Sequence, residues 1–104
     1  MSQACFHILL ALYAGYRHGL GIAEDIEKQT AGSLRLGPGT LYRSLKELAV
    51  QGLVEPVSAP AEADPRRKFY SITGKGRQAV RREARSLQRV VDVARSRQIL
   101  PEVR

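Results

Sequence analysis

The chain has 104 residues, 43% hydrophobic and 26% charged, with a net charge of +7 and a pI near 10.2. That length holds one packed domain and no second core, the single cysteine excludes an intramolecular disulfide and a cysteine metal cluster, and the basic balance favours an anionic partner. The longest apolar run, Ile8 to Ala14, is too short to cross a bilayer, and no cation precedes it as in a signal peptide. The charge is uneven: residues 1–65 hold five Lys/Arg against seven Asp/Glu, net −2, and residues 66–104 hold twelve against three, net +9.

Gln3 to Ala14 reads as a first helix, with Phe6, Leu9, Leu10 and Tyr13 on one stripe and Ile8 and Leu12 outside it. A helix apolar on more than one side needs more than one apolar neighbour, which points to a second subunit packing there. Cys5 lies in this helix and reads as core packing in a reducing cytoplasm. Gly15 to Gly19 reads as a turn, with His18 as a turn or cap residue rather than a ligand. A second helix runs from about Leu20 to Ala31, with Ile22 and Ile26 inward and Glu24, Asp25, Glu27 and Lys28 outward, and Gly32 ends it. Ser33 to Leu36 is a short extended link.

The third helix opens at Pro38, whose φ is already helical and which needs no N–H at that position. Leu41, Leu45 and Leu48, with Leu53 just past the end, share one face, and Gly52 suits the left-handed position that closes a helix. The other face carries Thr40, Tyr42, Arg43, Lys46 and Glu47. Two cations and an amphipathic ring on one edge suit either a recognition helix, able to donate to phosphates and base edges, or a surface helix with ordinary solvated charges. Three short helices, the last two joined by a brief link, have the layout of a helix-turn-helix unit.

After Gly52 the period changes. Leu53 to Ser58 and Lys68 to Thr73 read as strands, joined by a polar loop through Ala59 and Pro65. Pro56 cannot donate to a ladder, so its strand is expected at an edge or to end early. Thr73 is a good N-cap for a last helix, Gly74 to about Ile99, and Pro101 closes the pattern. Val80, Ala84, Leu87, Val91 and Ala94 form an a/d series over two heptads, broadened by Val90 and Val93; the alternative is a helix packed on its own domain, but roughly 25 residues, about 37 Å, exceed what a small domain covers, which favours a dimerisation helix. Its arginines read mostly as a solvated face, with some near the start facing DNA phosphates. The fold class expected is mainly α with a small β-hairpin wing, a winged helix-turn-helix over residues 1–73, followed by a dimerisation helix and tail over 74–104.

At this point the chain resembles the PadR family of bacterial transcriptional regulators. The pieces that carry the resemblance are LALYAGYRHGLGIAEDI from Leu10 to Ile26, LGPGTLYRSLKELAVQGLVE from Leu36 to Glu55, and RRKFYSITGKGR from Arg66 to Arg77. The short C-terminal part resembles the subfamily that ends in a single dimer-forming helix. The resemblance implies a cytoplasmic winged-helix homodimer that binds a pseudo-palindromic double-stranded operator, associates with the nucleoid when bound, and usually represses the adjacent gene. It implies that the helix opening with PGTLY enters the major groove through Thr40, Tyr42, Arg43 and Lys46, and that Arg66, Arg67 and Lys68 are the contacts of the wing. Family members often respond to phenolic or other aromatic compounds, and no residue of this sequence identifies such a ligand. Tyr16 stands where the family commonly has proline and Leu20 where it often has tyrosine. The wing tip carries Glu62 and Asp64, which repel phosphates, so the arginines at its base are the better contacts.

Arg43 either reads a guanine edge or contacts a phosphate. Tyr42 donates to a phosphate, lies on a thymine methyl, or packs against the wing. Lys46 reads as a phosphate contact. The triplet Arg66, Arg67 and Lys68 is too dense to be favourable without an anion nearby. A winged-helix protein-interaction module without specific DNA binding is the alternative, favoured by the acidic wing tip and the net −2 of residues 1–65. Neither a phosphate-binding glycine loop, a metal or cofactor signature, nor a catalytic triad pattern is present, so an enzyme is not expected.

Overall fold

The computed structural model describes residues 1–102. Its elements are α1 (Gln3–Tyr13), β1 (Arg17–His18), α2 (Gly19–Gln29), α3 (Pro38–Val50), β2 (Val54–Val57), β3 (Phe69–Ile72) and α4 (Gly74–Ser96). The three strands form one antiparallel sheet in the order β1-β3-β2, with Val54 opposite Ile72 and His18 opposite Phe69. Pro56 therefore lies on an edge strand, where its missing N–H breaks no ladder. β1 lies inside the stretch whose glycines predict only a turn. Two residues are too few to show alternation, and β1 exists because β3 offers its second edge.

The core is built by the inward faces of all four helices and by Leu53, Val54 and Ile72. On α1 the fully buried residues are Ile8, Leu9, Ala11 and Leu12. Ile8 and Leu12, the residues outside the stripe, are thus covered by the chain itself, while Phe6, Leu10 and Tyr13 of the stripe are only half-buried. A helix apolar on two sides gives no preferred inward direction from spacing alone.

Two corners hold the helix-turn-helix unit to the rest. Thr30 Oγ1 donates to the Ile26 carbonyl at 2.9 Å and accepts from Leu34 N at 3.1 Å, which turns the chain out of α2. Ala31 and Gly32 follow with φ of 50° and 82°, so the left-handed turn takes a residue with a Cβ as well as a glycine. At the other corner Gly76 packs directly on the Leu53 carbonyl, leaving no room for a Cβ. That close approach seats the first two turns of α4 on the core and buries Val80 to 2% exposure.

Beyond Val80, α4 has no buried residue. At 1.5 Å per residue its 23 residues span about 34 Å, and the molecule measures 50 × 27 × 25 Å. Gln98, at φ 63°, closes the helix, and Ile99 N donates to the Ala94 carbonyl at 2.8 Å.

Candidate nucleic-acid interface

Three of the four helices close their own N-termini with a side chain. Ser2 Oγ accepts from Cys5 N at 3.1 Å, His18 Nδ1 from Gly21 N at 3.0 Å, and Thr73 Oγ1 from Gly76 N at 3.0 Å. α3 is different. Its N-cap is Gly37, which has no side chain to accept, and Pro38 has no N–H to offer. The amides of Gly39 and Thr40 make no hydrogen bond among the described residues. A Cβ built at Gly37 or Gly39 would meet nothing within 4 Å. The end of α3 thus presents two amide donors and the positive end of the helix dipole to open space, which suits an anion.

The polar edge of α3 runs on from that end. Arg43 is exposed and, among the described residues, reaches only Thr40, with Nη2 donating to Oγ1 at 3.4 Å. Lys46 is exposed and has no ion-pair partner among the described residues. Tyr42 leans the other way. Its hydroxyl rests against Gly19, where a Cβ would collide with it, so the glycine is what lets the ring come down on the start of α2. Half of Tyr42 stays exposed, and its ring lines a cleft of about 400 Å³ with His18, Leu20, Tyr70 and the wing triplet. Burial, and then the neighbouring Tyr42, holds the Tyr70 phenol above its ordinary value, so it remains a neutral hydrogen-bond donor.

The wing triplet is not three free cations. Asp64 Oδ1 accepts from Arg66 N at 2.9 Å and from Arg66 Nε at 3.2 Å, and Oδ2 accepts from Arg66 Nη2 at 3.0 Å. The density of Arg66, Arg67 and Lys68 in the sequence calls for an anion nearby. The chain supplies one for Arg66 itself. The side-chain bonds from Arg66, and then its backbone N–H, hold the Asp64 carboxyl below its ordinary value. A depressed carboxyl keeps the clasp closed at neutral pH, and the clasp opens only in acid below the usual carboxylate range. Arg67 Nη1 lies 3.4 Å from His18 Nδ1. That nitrogen already accepts from Gly21 N, so the imidazole carries its proton on Nε2. Lys68 is exposed and has no ion-pair partner among the described residues.

The structure therefore brings Tyr42 and the wing triplet to one cleft, and leaves Thr40, Arg43 and Lys46 on the edge outside it. Two arginines escape sequence reasoning. Arg17 donates from Nε to the Ala11 carbonyl at 3.0 Å and stands 3.7 Å from Asp25, so its charge joins α1 to α2. Arg35 stands just ahead of α3 and is 76% exposed in its side chain, 3.4 Å from Glu27. Its place in the link before an uncapped helix is the only signal it gives.

Of the residues expected at a dimer interface, Val80 is corrected: it belongs to the core of the single chain, because Gly76 brings α4 down on it. Ala84 and Leu87 are exposed, and Val91 and Ala94 are half-buried. Val90, Val93 and Ile99 are exposed beside them. Among the described residues no group of side chains could hold a metal ion, and no helix is long and apolar enough to cross a membrane.

The sequence model of the transcriptional regulator PadR-like family matches residues 8–82. A PadR family transcription regulator from Clostridium difficile is similar in structure, with a TM-score of 0.77 at 20% identity over 91% of this chain and 97% of that one. RosR from H. salinarum is also similar, with a TM-score of 0.68 at 27% identity over 96% of each chain. A curated relative, described as an uncharacterized 37.1 kDa protein in a transposon of Streptomyces fradiae, is 40% identical over 89 residues. The match takes in 86% of this chain and spans about a quarter, 24%, of that protein's length.

Proposed function

The chain belongs to the PadR-like family of transcriptional regulators, and from that premise we propose that it is a DNA-binding regulator that represses the gene beside its operator. The observation that carries the reading is the uncapped start of α3, with Arg43 and Lys46 following along one edge. The open amides fix a backbone phosphate, and Arg43 reaches a guanine edge in the major groove. Lys46, Arg67 and Lys68 neutralise further phosphates, Thr40 steers Arg43, and Tyr42 fills the corner between helix and wing. Arg66 serves by shaping the wing through Asp64.

The homodimer reading is supported by the apolar face that α4 leaves bare past Val80. Leu87, Val90 and Val93 are 42%, 64% and 46% exposed, and an apolar patch of this kind marks an interaction surface. A two-fold dimer places two α3 helices one helical turn of DNA apart, roughly 34–36 Å, or a multiple of it, and so calls for a pseudo-palindromic site. Release by a small aromatic effector is supported by the habits of the family.

Selection of bound duplexes from a random pool by the purified protein tests the reading. An inverted repeat with half-sites spaced by a helical turn is the expected result. Weak binding without a motif would instead favour the protein-interaction module. Leu87→Asp places a charge in the bare face, and sedimentation is expected to show a monomer that has lost most of its operator affinity. A variant that stays dimeric would refute the role given to α4.

A further inference from the structure

The arginines of α4 are not scattered. Arg77, Arg81, Arg85 and Arg89 recur every four residues, so they form one row about 6 Å apart along the axis and about 18 Å long. Tyr13 sets the first two in place. Their guanidinium carbons lie 4.8 and 5.6 Å from its ring centroid, and Arg81 Nε donates to Tyr13 Oη at 2.8 Å. None of the four has an acidic partner within 4 Å among the described residues. Asp92, the acid nearest the row, is paired with Arg95, and Glu83 lines a groove with Met1 and Cys5 on another side of the helix. Like charges four residues apart repel along a helix, so the free chain carries a repulsion that an anion relieves.

We infer that this row is a second surface for nucleic-acid phosphates, separate from the edge of α3 and indifferent to base sequence. The inference rests on the reading of the chain as a DNA-binding protein. Guanidiniums take phosphate oxygens in a two-pronged hydrogen-bonded pair, and a row of cations at regular spacing, winding gradually round the helix, suits a regularly charged backbone. An acidic protein fits less well. Protein interfaces close around apolar anchors, whereas this row is flanked by Gln78, Gln88 and Arg82, and Leu87, Val91 and Ala94 stand on a different side, with Val93 alone continuing its line.

The variant Arg85→Gln/Arg89→Gln tests the surface, because both side chains are exposed and their loss removes repulsion rather than packing. Binding of a random-sequence duplex is measured by anisotropy over a range of salt. The slope of log K against log salt is expected to become shallower by about 1.8, two phosphates at roughly 0.9 each, with an unchanged sedimentation coefficient. An unchanged slope in a protein that still binds duplex would overturn the inference and leave the α3 reading standing. A variant that falls to a monomer would overturn it too, and would assign the row to the second copy of the chain. If the unaltered protein binds no duplex even at low salt, the DNA-binding reading fails and the inference with it.

Discussion

The two helices of the helix-turn-helix unit, α2 and α3, have 11 and 13 residues and share one core, yet they treat their polar groups in opposite ways. α2 has its start closed by His18 and its end by Thr30, while Asp25 takes Arg17 and Gln29, and Glu27 takes Arg35. α3 has no side-chain cap, Arg43 reaches only its own Thr40, and Lys46 pairs with nothing among the described residues. Asp25, Glu27 and Gln29 tie α2 to its neighbours, whereas Arg43 and Lys46 of α3 reach no other element among the described residues. A glycine in place of a side-chain cap costs a helix only about a few tenths of a kcal/mol, and Leu41, Leu45 and Leu48 supply the core that carries it.

Breaking each side of this contrast gives a different result. Arg43→Ala is expected to cost about 1–3 kcal/mol of operator binding, to relax specificity at one base pair per half-site, and to leave the thermal midpoint in place. An equal loss on operator and random DNA would make Arg43 a phosphate contact instead. His18→Ala acts on the other helix. Removing the cap of α2 is expected to lower unfolding free energy by about 1 kcal/mol, measured by denaturant titration, with operator preference retained.

Much of this arrangement is legible in the sequence. The four helices appear within a few residues of their bounds because 3.6-residue spacing, Pro38, Thr73 and Gly52 act locally. What escapes is set at a distance. β1 depends on β3, more than 50 residues away in the chain. The inward side of α1 is chosen by neighbours that its own periodicity does not reveal. Val80 carries the spacing of a dimer seam, but Gly76 lowers it into the core. Arg66 counts as a free cation in the sequence until Asp64 folds back on it. For the polar edge of α3, residue types and spacing suffice to find Thr40, Tyr42, Arg43 and Lys46. Which side each leans to depends on Gly19 and the wing.

In the proposed function, the start of α3 is left open for a phosphate. Gly37→Asp tests it most directly. Gly37 has ordinary φ and ψ, and a Cβ there meets nothing, so the substitution fits without strain. Aspartate supplies the missing cap and complements the dipole, which stabilises the fold by about 0.3–1 kcal/mol. Thermal unfolding and duplex binding are measured on the same variant, with Gly37→Ala as the control that adds bulk but no cap. A higher midpoint together with weaker binding to operator and random DNA alike is the predicted result. A higher midpoint with binding unchanged would contradict it, because the amides of Gly39 and Thr40 would then be closed without loss to the partner.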